Sequence, residues 1–260
     1  MIVSRTAETV QRFLTRDALL DAAAEFIVQE AVTAIAHRGR FVIALSGGVT
    51  PIGVYELLAS PRCAGQVAWP AVHVCFGDER CVSPADAQSN YRMACTALLD
   101  HVPIPATQVH RMRGEDNPVA AAHAYERELR TLFSTLDGLP RVADTQRFDL
   151  VLLGLGPDGH TASLFPNQSA VRESIRWVVD TAGSTTARLT LTPPLINAAA
   201  HVLFLVSGAD KADAVQQVRE GPRNTSHVPA QRIAPTHGQL HWMLDLAAAA
   251  KLRAASDASD

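Results

Sequence analysis

Residues 153–166 read LGLGPDGHTASLFP. The stretch follows an apolar run and gathers three glycines, an aspartate and a histidine into one bend. Two chemistries fit it. Gly154, Gly156 and Gly159 satisfy G-x-G-x-x-G, the pattern of a dinucleotide cradle, and Asp180 ends a strand about 20 residues after Gly159, where a ribose-binding acid belongs. Alternatively, the glycines expose Asp158 and His160 at the carboxyl end of a strand. A histidine there can take a proton from water and return it to a leaving group. The cradle is the weaker reading. Pro157 lacks the N–H that a phosphate would use, and Pro166 limits any helix from Gly159 to about two turns. The bland alternative for His160 is a cap on that short helix.

Other loops carry compatible chemistry. LSGGVTPIGVY (45–55) leaves a strand through Ser46, Gly47 and Gly48. It enters a helix with Thr50 expected as N-cap and Pro51 at the first helical position. Glycines admit close backbone approach and a helix start favours an anion, so phosphate is the natural guest. A tight strand-to-helix turn is the structural alternative. No Gly-Lys-Ser/Thr follows, which excludes a Walker A loop. In FGDERC (76–81), Asp78, Glu79 and Arg80 form either a solvated turn or a polar rim, with Arg80 free to meet an anion or an oxyanion. Lys211 follows Gly208 and Asp210 in the first turn of a helix, an unfavourable place for a cation unless an anion is held there. Arg188 opens a strand, where a surface arginine is the ordinary reading. His237 and His241 are four apart, but Gly238 interrupts any helix and no third ligand is evident, so neither metal nor cofactor is expected. No G-x-S-x-G elbow is present, which argues against a serine-nucleophile hydrolase.

These loops need a frame. The chain has 260 residues, 47% apolar and 19% charged, with a net charge of −3. That composition supports a sizeable core and gives nucleic acid no basic surface. No run approaches the ~18 apolar residues of a membrane helix. The N-terminus lacks the pattern of a secretory leader. Cys63, Cys75, Cys81 and Cys95 form no C-x-x-C pair and no secreted disulfide framework, so a cytoplasmic location is expected.

Apolar runs at 41–46, 72–77, 148–154, 177–181, 188–192, 201–208 and 240–245 read as strands. Helical patterns fill Asp17–His37, Pro51–Ala59, Asn90–Leu99, Pro118–Leu136, Ala209–Glu220 and Leu246–Arg253, with Ser89 or Asn90 and Asn117 as caps. Unalternating strands separated by helices indicate an α/β fold, a mostly parallel sheet covered on both faces. No linker divides residues 1–260, so a single domain is expected, with a loop at 137–146 and a frayed tail from about 254. In such sheets ligands sit beyond the carboxyl ends of strands, after residues 46, 77, 154 and 207.

Taken together, LSGGVTP, FGDERCVSPADAQSNYRMA, FDLVLLGLGPDGHTASLFP, RLTLTPPLINAAAHVLFLVSGADKA and HWMLD resemble the 6-phosphogluconolactonases, in order from about residue 15 to 250. The glucosamine-6-phosphate deaminases share related SGG and GDER segments. The resemblance implies a Rossmann-like sheet and hydrolysis of 6-phospho-D-glucono-1,5-lactone in the pentose phosphate pathway. The partner it implies is a small phosphorylated lactone. It implies His160 as general base, Ser46, Gly47, Gly48, Arg188 and Lys211 around the phosphate, and Arg80 beside the sugar ring. Asp78 or Asp158 would orient the imidazole; the sequence leaves this open. Deaminases carry a glutamate five positions after this histidine, where Phe165 stands here. A deaminase or isomerase of a sugar phosphate, or a non-catalytic sensor, are the alternatives. The sequence is silent on oligomeric state.

Overall fold

The computed structural model describes residues 7–136, 147–183 and 185–253. The expected loop at 137–146 and the tail from 254 lie outside them. In chain order the elements are β1 (Ala7–Phe13), α1 (Arg16–Arg38), β2 (Phe41–Leu45), α2 (Val49–Ala59), α3 (Pro61–Ala64), β3 (Val72–Phe76), β4 (Asp78–Arg80), α4 (Asn90–Ala97), α5 (Pro118–Leu136), β5 (Leu150–Leu153), β6 (Val178–Thr181), β7 (Arg188–Leu191), α6 (Pro193–Asn197), β8 (His201–Val206), α7 (Ala212–Glu220) and β9 (Gln239–Asp245).

Six strands form one sheet in the order β1-β9-β8-β5-β2-β3, every neighbouring pair parallel. The α/β class is therefore as expected. The pleat divides each strand between two cores. Val42, Ala44, Val151, Leu153, Val202 and Phe204 face a core completed by α5 and α7. Phe41, Ile43, Leu45, Leu150, Leu152 and Leu203 face the other, closed by α1, α2 and α4. Helix α1 starts on Thr15, whose side chain accepts from the Ala18 amide, and stops at Gly39 in the left-handed region. Leu20, Ala24, Ile27 and Ala31 bury its core-facing stripe.

Several local expectations give way. Residues 178–181 and 188–191 do not join the main sheet. They pair antiparallel with β4 in a small sheet of order β4-β7-β6, whose Leu189, Leu191 and Val178 pack into the α5 core. Strand β1 was not legible, because it is an edge strand whose partner, β9, lies over two hundred residues away. Residues 246–253 form successive turns instead of a helix, the first of them drawn onto Asp245, whose Oδ1 accepts from the Ala248 amide. Helix α2 has Gly48 at its N-cap, at φ +108°, and Thr50 lies inside the first turn. No helix forms near Gly159 for His160 to cap.

Two histidine chains lie near the amino ends of the strands. His241 bridges Thr9 Oγ1 at 2.9 Å and His201 Nδ1 at 3.1 Å, and His201 Nε2 lies 3.2 Å from Glu30. On the far edge, His73 meets His110 at 3.1 Å, which meets Glu128 at 2.9 Å. Burial, then the neighbouring His201, lowers His241 to about 4. Burial, then His110 and Arg40, lowers His73 to about 4. An unfolded histidine binds its proton near pH 6.5, so each group holds stability that is complete above that pH. The stability is lost as pH falls from about 6.5 towards 4. Glu30, raised chiefly by burial and then by Asp149, opposes part of that loss. Thermal unfolding midpoints of the wild type should fall across this window, and those of a His73→Gln/His241→Gln double variant should fall less. Equal slopes for the two proteins would remove the histidines from the acid transition.

Candidate active site

The loops that leave β2, β5, β8 and β3 meet at the carboxyl edge of the sheet around a cleft of about 710 Å³. Ser46, Gly47, Gly48, Asp78, Arg80, His160, Arg188 and Lys211 all line it. Asp158 stands behind His160. The sequence-derived set is thus brought together, though not with one role each.

His160 is positioned from three sides. Its Nδ1 lies 2.5 Å from Asp158 Oδ1, and its amide donates to the same oxygen at 3.2 Å. Burial pushes the Asp158 carboxyl up, but these bonds outweigh it and hold the group below its ordinary value. An ionised Asp158 accepts the Nδ1 proton and leaves Nε2 as the basic nitrogen. Phe165 covers the ring at a centroid distance of 4.8 Å. Gly156 underlies it: a Cβ there would come within 2.0 Å of His160 Nδ1, so only glycine fits. The glycine at position 156 therefore makes room for the imidazole. Ala162, at φ +47°, holds an uncommon left-handed conformation in the cleft wall.

The pleat of β4 sorts its three charges. Asp78 and Arg80 face the cleft, while Glu79 between them points away and is 3% exposed. Glu79 accepts from the Arg80, Asn90 and Tyr91 amides at 2.7–2.8 Å and from Ser89 Oγ at 3.0 Å. It caps the start of α4 and is neither the solvated turn nor the polar rim expected from sequence. Asp78 accepts from Asn90 Nδ2 at 3.1 Å and from Ser163 Oγ at 2.6 Å. Those partners tie it to the floor of the cleft, so Asp158 is the carboxylate in contact with His160.

On the opposite wall, the Tyr55 hydroxyl accepts from the Ser46 amide at 3.0 Å and donates to the Ser46 carbonyl at 2.8 Å. This locks the loop but consumes one N–H. The amides of Gly47 and Gly48 donate to no other described residue. Lys211 Nζ rests 3.2 Å from Asp210. Sequence reasoning missed Arg16. It lines the cleft from the first residue of α1, and its Nη2 donates to the Val49 carbonyl at 3.2 Å. The signal was the one used for Lys211, a cation where the helix dipole disfavours it. Asp245 was also missed as an anchor. It is buried and accepts from Ser207 Oγ at 2.5 Å and from the Gly208 amide at 3.0 Å, fixing the loop that carries Lys211. Among the described residues, no group of three or more His, Cys, Asp or Glu is gathered to hold a metal.

Comparison with known proteins places this arrangement. The model of the glucosamine-6-phosphate isomerase/6-phosphogluconolactonase family matches residues 14–242. The chain belongs to that family. A 6-phosphogluconolactonase of Nostoc sp. is 41% identical over 246 residues, covering 94% of this chain and 98% of that protein. One of Synechocystis sp. is 40% identical, covering 95% and 99%. The solved 6-phosphogluconolactonase of Trypanosoma brucei superimposes with a TM-score of 0.81 at 28% identity, covering 95% of this chain and all of that one.

Proposed function

We propose that the protein hydrolyses 6-phospho-D-glucono-1,5-lactone to 6-phosphogluconate, the lactone step of the oxidative pentose phosphate pathway, with His160 as general base. The observation that carries the mechanism is the Asp158–His160 pair at 2.5 Å, which engages Nδ1 of a histidine that lines the cleft and leaves Nε2 as its proton acceptor. The lactone carbonyl is already electrophilic, so an activated water suffices. His160 Nε2 takes a proton as water oxygen adds to C1. The C1–ring-oxygen bond then breaks and the ring oxygen receives that proton. Arg80 meets the charge that develops on the carbonyl oxygen. The phosphate lies against the Gly47 and Gly48 amides, the start of α2, Lys211 and Arg16. Because both cores share the same strands, we read the chain as one domain. All four cysteines are unpaired, which suits a reducing cytoplasm.

The deaminase alternative needs a further acid–base group beside the histidine to open a sugar ring. Phe165 occupies the face of His160 and cannot relay a proton. Glu79 is committed to α4 and cannot replace it. Purified protein should release acid from 6-phosphogluconolactone well above the spontaneous rate, and no ammonia from glucosamine 6-phosphate. Ammonia release at a comparable rate would overturn the assignment, and no turnover of either substrate would leave a sensor.

A further inference from the structure

The two glycines after Ser46 are glycines for different reasons. Gly48 holds a positive φ of +108°, which favours glycine, whereas Gly47 does not. A Cβ on Gly47 would instead lie 2.1 Å from Asn90 Oδ1 and 2.7 Å from Asn90 Cγ. Position 47 is kept bare to admit the Asn90 carboxamide.

Asn90 is the first residue of α4 and is 2% exposed. Its backbone serves the helix start, where the amide donates to Glu79 Oε1 at 2.7 Å. Ser89 and Glu79 complete that start through the Arg92 and Tyr91 amides, so the helix does not need the Asn90 side chain. The side chain goes elsewhere. Its Nδ2 donates to the Asp78 carbonyl at 2.9 Å and to Asp78 Oδ1 at 3.1 Å. The other Asp78 oxygen accepts from Ser163 Oγ at 2.6 Å, three residues after His160. Asn90, Asp78 and Ser163 are all buried. One run of side chains thus joins the Gly47 turn to the segment that carries the base. Each end also has a lock of its own. Tyr55 holds Ser46 by two hydrogen bonds, and Asp158 holds the imidazole. Neither lock sets the spacing between the two ends.

That spacing matters to the reaction. The phosphate and C1 lie at opposite ends of the sugar, so holding the phosphate helps the chemistry only when His160 stands at C1. We propose that Asn90 is a positioning residue. Through Asp78 and Ser163 it fixes the distance from the phosphate turn to His160, so that binding at the phosphate is realised as rate at C1. It does not line the cleft and acts through its neighbours. The inference rests on the lactonase reading above.

Three proteins test it: Asn90→Ala, Ser163→Ala and the double variant. Asn90→Ala keeps the backbone bonds at the start of α4, and Ser163→Ala keeps the Ser163 amide on Thr190. Each single variant should lower kcat by about 10- to 100-fold, the scale of a small misplacement of reacting groups. Affinity for 6-phosphogluconate, which carries the same phosphate and no electrophilic carbon, should be nearly unchanged. The pH dependence of kcat/KM should keep its wild-type shape, because Asp158 and not Asp78 touches the imidazole. The double variant should be no slower than the slower single one, since a link cut at one end is already cut. Gly47→Ala disturbs the same link from the loop side, by driving a methyl into the carboxamide, and serves with the same expected split if Asn90→Ala folds poorly. Near-normal kcat in a folded Asn90→Ala protein would overturn the proposal. So would losses that multiply in the double variant, a fall in 6-phosphogluconate affinity that matches the fall in kcat, or a displaced pH profile. Failure of the lactonase reading would appear separately, as absent acid release by the wild type.

Discussion

His160→Ala is expected to lower kcat by about 10²–10⁴-fold, the scale of a lost general base, with little change in thermal stability. The side chain is partly exposed, and its contacts are with Asp158 and Phe165 at the cleft, not with either core. Removing it leaves the Gly156–His160 backbone bond in place, since that bond joins the Gly156 amide to the residue 160 carbonyl. Asp158 loses its partner but is exposed enough to be hydrated. KM should change little, because in the proposed mechanism the imidazole acts on water and C1 and not on the phosphate. Initial rates measured after subtraction of spontaneous hydrolysis decide the matter. Near-normal kcat in a well-folded variant would remove His160 from the mechanism.

Lys211→Ala is expected to raise KM for the phosphorylated lactone by roughly 10- to 150-fold, from the ~1.5–3 kcal/mol of a charge-assisted contact. Lys211 lies at the end of a loop anchored through Gly208 to Asp245, so truncation removes a charge without releasing the backbone. The Asp210 carboxylate at 3.2 Å is largely exposed and tolerates the loss. The control is the unphosphorylated lactone. Its hydrolysis should be almost untouched, because the lost contact is remote from C1. Equal harm to both substrates would show that Lys211 does not hold phosphate.

Much of the site was readable from local chemistry. A bend of three glycines between an apolar strand and Pro166 exposes whatever polar residues it carries, and the identity of those residues needed no partner to recognise. Ser46-Gly47-Gly48 before a helix, and a lysine at a helix start, are likewise signals contained within a few residues. Arg16 carried the same signal as Lys211. It went unread because nothing near it in sequence suggested a cleft, and the loops that form one leave β2, β3, β5 and β8, all later in the chain.

What the chain determined by itself was the α/β class, the carboxyl-end loops and the residue types in them, since strand burial, helix caps and glycine turns depend on neighbours a few positions away. Tertiary structure decided which of those residues cooperate. Asp78 and Asp158 look equivalent in sequence, but Asn90 and Ser163 bind the first while the second lies against the imidazole. Asp78, Glu79 and Arg80 read as one charged cluster, until pairing with β7 sends Glu79 to α4 and sets Arg80 opposite Arg188. Pairing register, and with it the face each side chain takes, is set by backbone hydrogen bonds between segments about a hundred residues apart, and no local pattern encodes which face that will be.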